Sequence, residues 1–71
     1  MKARIKFNCF QLIAHVSYVG SCLLFAEIES DDNVLPILQQ AYELGIQFKQ
    51  RGNKIEFAFE KDKTTCEFLA V

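Results

Sequence analysis

Three cysteines, one histidine and a run of four carboxylates are the residues of this 71-residue sequence with chemistry to offer. Cys9 is the candidate reactive thiol. It falls where the apolar phase of the chain changes, so packing does not claim it. Cys22 and Cys66 fall on expected inward positions, where cysteine behaves as a small apolar side chain. His15 is expected on the outer side of a strand, with no acidic partner in view to make it a general base. The cysteine spacing fits no zinc pattern, and there is no phosphate-binding glycine loop and no Ser/His/Asp constellation. The expectation is therefore no catalytic residue, no metal and no cofactor.

Two further groups are candidates for binding. Glu27, Glu29, Asp31 and Asp32 form an acidic run that suits a basic partner. The plainer reading of such a run is a solvated strand end followed by a helix start. Ile13, Val19, Leu23 and Phe25 are apolar residues on the outward phase of the first hairpin. One helix cannot cover both faces of a sheet, so these four are expected to be bare or covered by another chain.

Composition limits the classes. The chain is long enough for one domain, 1–71. Its hydrophobic content of 51% argues for a packed core rather than disorder. A formal charge of −1 and a pI near 5.7 are the wrong balance for a nucleic-acid binder. An odd number of cysteines makes no closed disulfide framework, which suggests a reduced, cytoplasmic setting. Lys2, Arg4 and Lys6 precede an uncharged stretch, and Val19-Gly20-Ser21-Cys22 resembles a lipoprotein cleavage box. Polar residues such as Asn8, Gln11, His15 and Ser17 interrupt that stretch, so no membrane span or export signal is expected.

The elements that must carry these residues follow from period. Ala3, Ile5, Phe7 and Cys9 alternate with Lys2, Arg4, Lys6 and Asn8, as in a half-buried strand. From Phe10 the apolar residues move to even positions and stay there to Ile28. That flip suggests a β-bulge near Cys9–Phe10. Gly20 is the only turn-former in the stretch, so strands near 10–18 and 22–29 are expected, with Tyr18 paired to Cys22. Ser30 to Asn33 starts a helix, with Asn33 as cap and Pro36 in the first turn. Val34, Ile37, Leu38, Ala41 and Leu44 form its apolar face, and Gly45 ends it. Gly52-Asn53 turns a hairpin that pairs Phe48 with Phe57, Ile46 with Phe59 and Lys49 with Glu56. A turn at Asp62-Lys63 pairs Phe59 with Cys66, Phe57 with Phe68 and Ile55 with Ala70.

The expected fold is α+β, a ββαβββ antiparallel sheet with one helix packed on one face. If residues 9–19 were helical instead, the chain would form a βαβαββ two-layer sandwich. That order resembles the small sulfur-carrier family, whose motif is Cys-Pro-x-Pro. The tetrad here reads Cys9-Phe10-Gln11-Leu12 and lacks both prolines. The resemblance implies a thiol protein that uses Cys9. In size and composition the chain is similar to small phage and mobile-element inhibitors, including anti-CRISPR proteins. That likeness implies a non-enzymatic protein–protein interaction module that covers a partner surface. The partner would be another protein, self or host. A homo-oligomeric, antitoxin-like subunit would use the same apolar face, with a homodimer as one form.

Overall fold

The structure, a computed structural model, describes residues 1–8 and 10–70. Among them lie six strands and one α-helix in the order βββαβββ. The strands are β1 (Lys2–Phe7), β2 (Phe10–Val19), β3 (Leu23–Glu29), β4 (Gln47–Arg51), β5 (Lys54–Glu60) and β6 (Thr65–Phe68). Helix α1 covers Leu35–Glu43. All neighbouring strands are antiparallel, in the spatial order β4-β5-β3-β2-β1-β6. Residues 10–19 are a strand, so the βαβαββ alternative does not hold.

The expected ββαβββ order is one strand short, because the chain turns as a hairpin between Phe7 and Phe10 where a bulge would have continued the strand. Phe7 pairs with Phe10 across a two-residue connection, and Asn8 takes φ 56°. Tight two-residue turns need this left-handed backbone, and asparagine tolerates it. Such a turn pairs an odd residue with an even one, so the apolar phase flips as it does at a bulge.

A true bulge lies further on. The β2–β3 register shifts between Val16 and Tyr18. Val16 pairs with Ala26, but Tyr18 pairs with Phe25 and Val19 with Leu24. The expected Tyr18–Cys22 pairing is thus replaced. The Ser17 hydroxyl at the bulge donates to the Phe25 carbonyl at 3.2 Å.

The β4–β5 hairpin forms as its Gly-Asn turn predicts, with Phe48 opposite Phe57 and Lys49 opposite Glu56. The second expected hairpin does not form. β6 lies along β1, with Ile5 opposite Cys66 and Ala3 opposite Phe68. The reason is competition for an edge. β3 occupies the free side of β5 over its whole length, from Leu23–Glu60 to Glu29–Lys54.

Coiling of the sheet makes the short passage from β5 to β6 feasible. In a flat sheet β1 and β5 would stand three strand spacings apart, about 14 Å. Instead the Phe7 and Phe59 rings are 5.3 Å apart by centroid. Right-handed twist, accumulated across the strands, folds one corner of the sheet over the other.

The inner face of this coil is the core. Ala3, Ile5, Phe7, Leu12, Ala14, Val16, Leu24, Ala26, Ile55, Phe57 and Phe59 are buried there, with Val34 and Ala41 from the helical segment. Ala26 opposes Phe57 across the β3–β5 ladder, which leaves room for the ring. No polar or charged residue is buried among the described residues.

The helix start differs by one turn from expectation. Asp31, not Asn33, is the cap: its carboxylate accepts the Asn33 N–H at 2.8 Å and opens a 3-10 turn, Asp32–Val34. Pro36 stands in the first turn of α1. Ile37 and Leu38 pack against the core, but Leu44 is 45% exposed rather than on the inward face. Gly45 follows with φ 77°, a conformation that glycine adopts at a helix C-terminus without strain.

Candidate functional site

The strand registers order the outer face into rows. One row reads Tyr18, Phe25, Ala58, Gln47 across β2, β3, β5 and β4. The next reads Lys2, His15, Glu27, Glu56, Lys49 from β1 to β4. Beyond it Glu67, Arg4 and Ile13 run across β6, β1 and β2, and Glu29, Lys54 and Arg51 run across β3, β5 and β4. Ile13 and Glu29 border the same shallow depressions.

These rows divide the four apolar candidates. Leu23 and Phe25 are on the outer face at one end of β3. Ile13 is outward and 49% exposed, but the row of His15 and Glu27 separates it from them. Val19 is not on this face. The bulge at Ser17 returns Val19 to the inner phase opposite Leu24, where it projects past the core and stays exposed.

The same bulge turns Tyr18 outward, which period-two reading missed. Its ring lies 5.8 Å from Phe25, and it is 57% exposed. Gly20 leaves space for it, because a Cβ there would come within 3.0 Å of the Tyr18 ring. Tyr18 and Phe25 therefore form an aromatic pair on the outer face, and Leu23 stands at the same end of β3, where it lines one cavity with Leu44 and Gly45 at the end of α1. Only the bulge reveals Tyr18, and nothing in the local sequence marks it.

The acidic run is dispersed. Glu27 points outward and pairs with Lys54 at 3.7 Å. Glu29 stands opposite Lys54 in the β3–β5 register. Asp31 is engaged as the helix cap, and Asp32 is exposed in the 3-10 turn. Among the described residues, no three or more His, Cys, Asp or Glu gather as a metal site would require.

The thiols also separate. Cys22 is exposed in the β2–β3 connection, not packed inward as expected. Cys66 is half-buried on the inner phase of β6. Burial pushes its thiol above the usual range, and the charge of Lys61 partly offsets this. Cys9, the candidate reactive thiol, lies outside the described residues.

A cavity of about 580 Å³ opens where the end of α1 and the start of β4 face the end of β5. Phe7, Leu44 and Ile46 give it an apolar side, while Glu60 and Lys63 stand on its rim. Those two pair at 3.1 Å. The hydrogen bond that Lys63 donates to the Glu60 carboxylate, and then that carboxylate's charge, raise the Lys63 amine above its usual range. The rim charges cancel, so the cavity has no electrostatic preference for an ion.

Comparison with known proteins gives no match: no family model fits the chain, and no curated protein or solved structure is significantly similar to it. No helix among the described residues is long and apolar enough to cross a membrane. The class that fold and surface define is a small α+β domain with one face of its sheet used for the core and the other uncovered.

Proposed function

We propose that this chain is a non-enzymatic protein–protein interaction module, which acts by covering a partner with the outer face of its sheet. The carrying observation is the Tyr18–Phe25 pair on that face, with Leu23 two residues along β3 from Phe25. The ring centroids are 5.8 Å apart, Tyr18 is exposed and Phe25 half-buried, while the inner face is filled by the core. Exposed aromatic residues of this kind are enriched at the centres of protein interfaces.

The acidic residues are secondary in this reading. Glu27 and Asp31 have partners within the chain, so mimicry of nucleic-acid charge is not the leading mode. The domain's size and composition fit a cytoplasmic inhibitor of the phage or mobile-element kind. Persulfide chemistry at Cys9 gains no support, because the strand–helix junction that the sulfur-carrier resemblance required is a β1–β2 hairpin.

Immobilised wild-type chain compared with Phe25→Lys tests the reading. Both should give the same circular dichroism spectrum. A protein ligand, another copy or a different protein, should be held saturably by the wild type and released by the variant. Equal retention by both chains, or none by either, would remove the proposal.

A further inference from the structure

We infer that the cavity between the end of α1 and the ends of β1 and β5 is a binding site for a small uncharged ligand, with an aromatic or alicyclic body and a hydrogen-bonding edge. The site is separate from the Tyr18–Phe25 pair and goes beyond the interaction-module reading.

The cavity lies where the core runs out. Val34, Ile37, Leu38, Ala41 and Leu44 fall on one stripe of the helical segment by period. Ala41 is fully buried, and Ile37 and Leu38 pack against the core, but Leu44 is 45% exposed. It lines the cavity instead. Leu23, at the start of β3, lines the same cavity and is 39% exposed. Two large apolar side chains from separate elements therefore border one space that neither fills. Phe7, which is buried, and Ile46, which is half-buried, extend the apolar lining. An apolar body placed here takes both leucines out of water, which favours its binding.

The lining is fixed before a ligand arrives. At the end of α1 the Leu44 N–H donates to the Gln40 carbonyl at 3.0 Å, Gly45 to Tyr42 at 3.2 Å and Ile46 to Ala41 at 2.8 Å. The left-handed Gly45 makes this turn, so Leu44 and Ile46 are both set on the cavity. On the side of β5, the Lys61 N–H donates to the Cys22 carbonyl at 2.9 Å and the Lys63 N–H to the Glu60 carbonyl at 3.1 Å. These bonds tie the β5–β6 connection to the residue before Leu23. A site held in this way loses little conformational freedom when it is filled.

The polar residues select the class of ligand. Glu60 and Lys63 neutralise each other, so a charge carried into the cavity finds no free counter-charge. Asn8, Gln47 and Thr64 supply uncharged donors and acceptors for a hydrogen-bonding edge. The volume, about 580 Å³, falls within the roughly 300–1,000 Å³ of small-molecule sites.

The test is a fluorescence titration with N-phenylnaphthylamine, an uncharged aromatic amine whose emission rises when it leaves water. The wild type should bind it saturably, one to one. Anilinonaphthalene sulfonate, the same ring system with a negative charge, should bind at least about tenfold more weakly. Leu44→Trp fills the space from a half-exposed position and should weaken binding of the amine at least about tenfold. Tyr42→Trp adds the same side chain outside the lining and should leave binding unchanged. Circular dichroism checks that each variant is folded. Should Leu44→Trp fail to fold, Leu44→Glu, which sets a charge at the same position, should weaken the amine equally. Absence of a saturable rise with the wild type, equal affinity for the sulfonate, or undiminished binding by a folded Leu44 variant overturns the inference. So does a cavity that takes a partner's side chain instead: the wild type then ignores the amine, and Leu44→Trp loses a protein ligand. Phe25→Lys keeps the two readings apart, because it should retain the amine and release the protein ligand.

Discussion

Phe57 and Phe25 stand on adjacent strands of one sheet, one register step apart: Phe57 opposes Ala26, and Phe25 opposes Ala58. Phe57 is fully buried against Phe48 and Phe59, while Phe25 keeps contact with solvent and touches Tyr18. The difference is parity alone. Successive side chains point to opposite faces of a strand, so a single step moves a ring from the core to the surface. Aromatic content therefore does not measure the core here. Part of it is surplus to folding and free to meet a partner.

Truncation of the two rings should separate the roles, and this is the largest expected effect. Phe57→Ala should cost about 3–5 kcal/mol in urea unfolding, because it leaves a cavity that neighbours only partly fill. A domain of this length has only about 4–10 kcal/mol of stability in all, so the variant should be largely unfolded on modest warming. Phe25→Ala should cost less than about 1.5 kcal/mol, since its ring is only partly removed from water. Equal losses at the two sites would break the comparison and make Phe25 a structural residue.

The β4–β5 hairpin was readable because turn and period agree locally: Gly52-Asn53 sets the register, and Phe48 and Phe57 then share a face. The inward set Ala3, Ile5, Phe7, Ile55, Phe57 and Phe59 was readable from alternation for the same reason. The β1–β2 turn was not, because a two-residue hairpin and a bulge flip the phase identically. The place of β6 was not legible either. Cys66 and Phe68 alternate equally well against β5 or β1, and only the long β3–β5 ladder closes the first choice. The candidate site suffered from the same limit. Leu23 and Phe25 were found by phase, whereas Tyr18 was missed and Val19 misplaced by a bulge that no residue type announces.

A smaller effect sharpens the contrast between a carboxylate used within the chain and one left for a partner. Asp31→Ala removes the cap on the Asn33 N–H and should cost about 1 kcal/mol, read as a lower urea midpoint with an unchanged slope. Asp32→Ala, at the neighbouring exposed position, should stay within about 0.5 kcal/mol of the wild type. If the two behave alike, the cap is not formed in solution.

The smallest effect concerns the two described thiols, again one on each kind of surface. Cys22 is exposed in a turn, whereas Cys66 is half-buried and its thiol is raised by burial. The thiolate is the nucleophile, so near neutral pH iodoacetamide should label Cys22 first and Cys66 several times more slowly. Peptide mass spectrometry of briefly treated native protein reads the order. Raising the pH should narrow the gap as Cys66 ionises. The sign for stability follows from the same shift. The folded state favours the protonated thiol, so this contribution is whole below the unfolded-state pKa. It is lost as pH rises through the folded one. Cys66→Ala should therefore flatten the alkaline limb of the stability profile. Faster labelling at Cys66 than at Cys22 would mean that β6 opens readily from β1, and the edge that carries Glu67 would then be a poor foundation for any fixed interface.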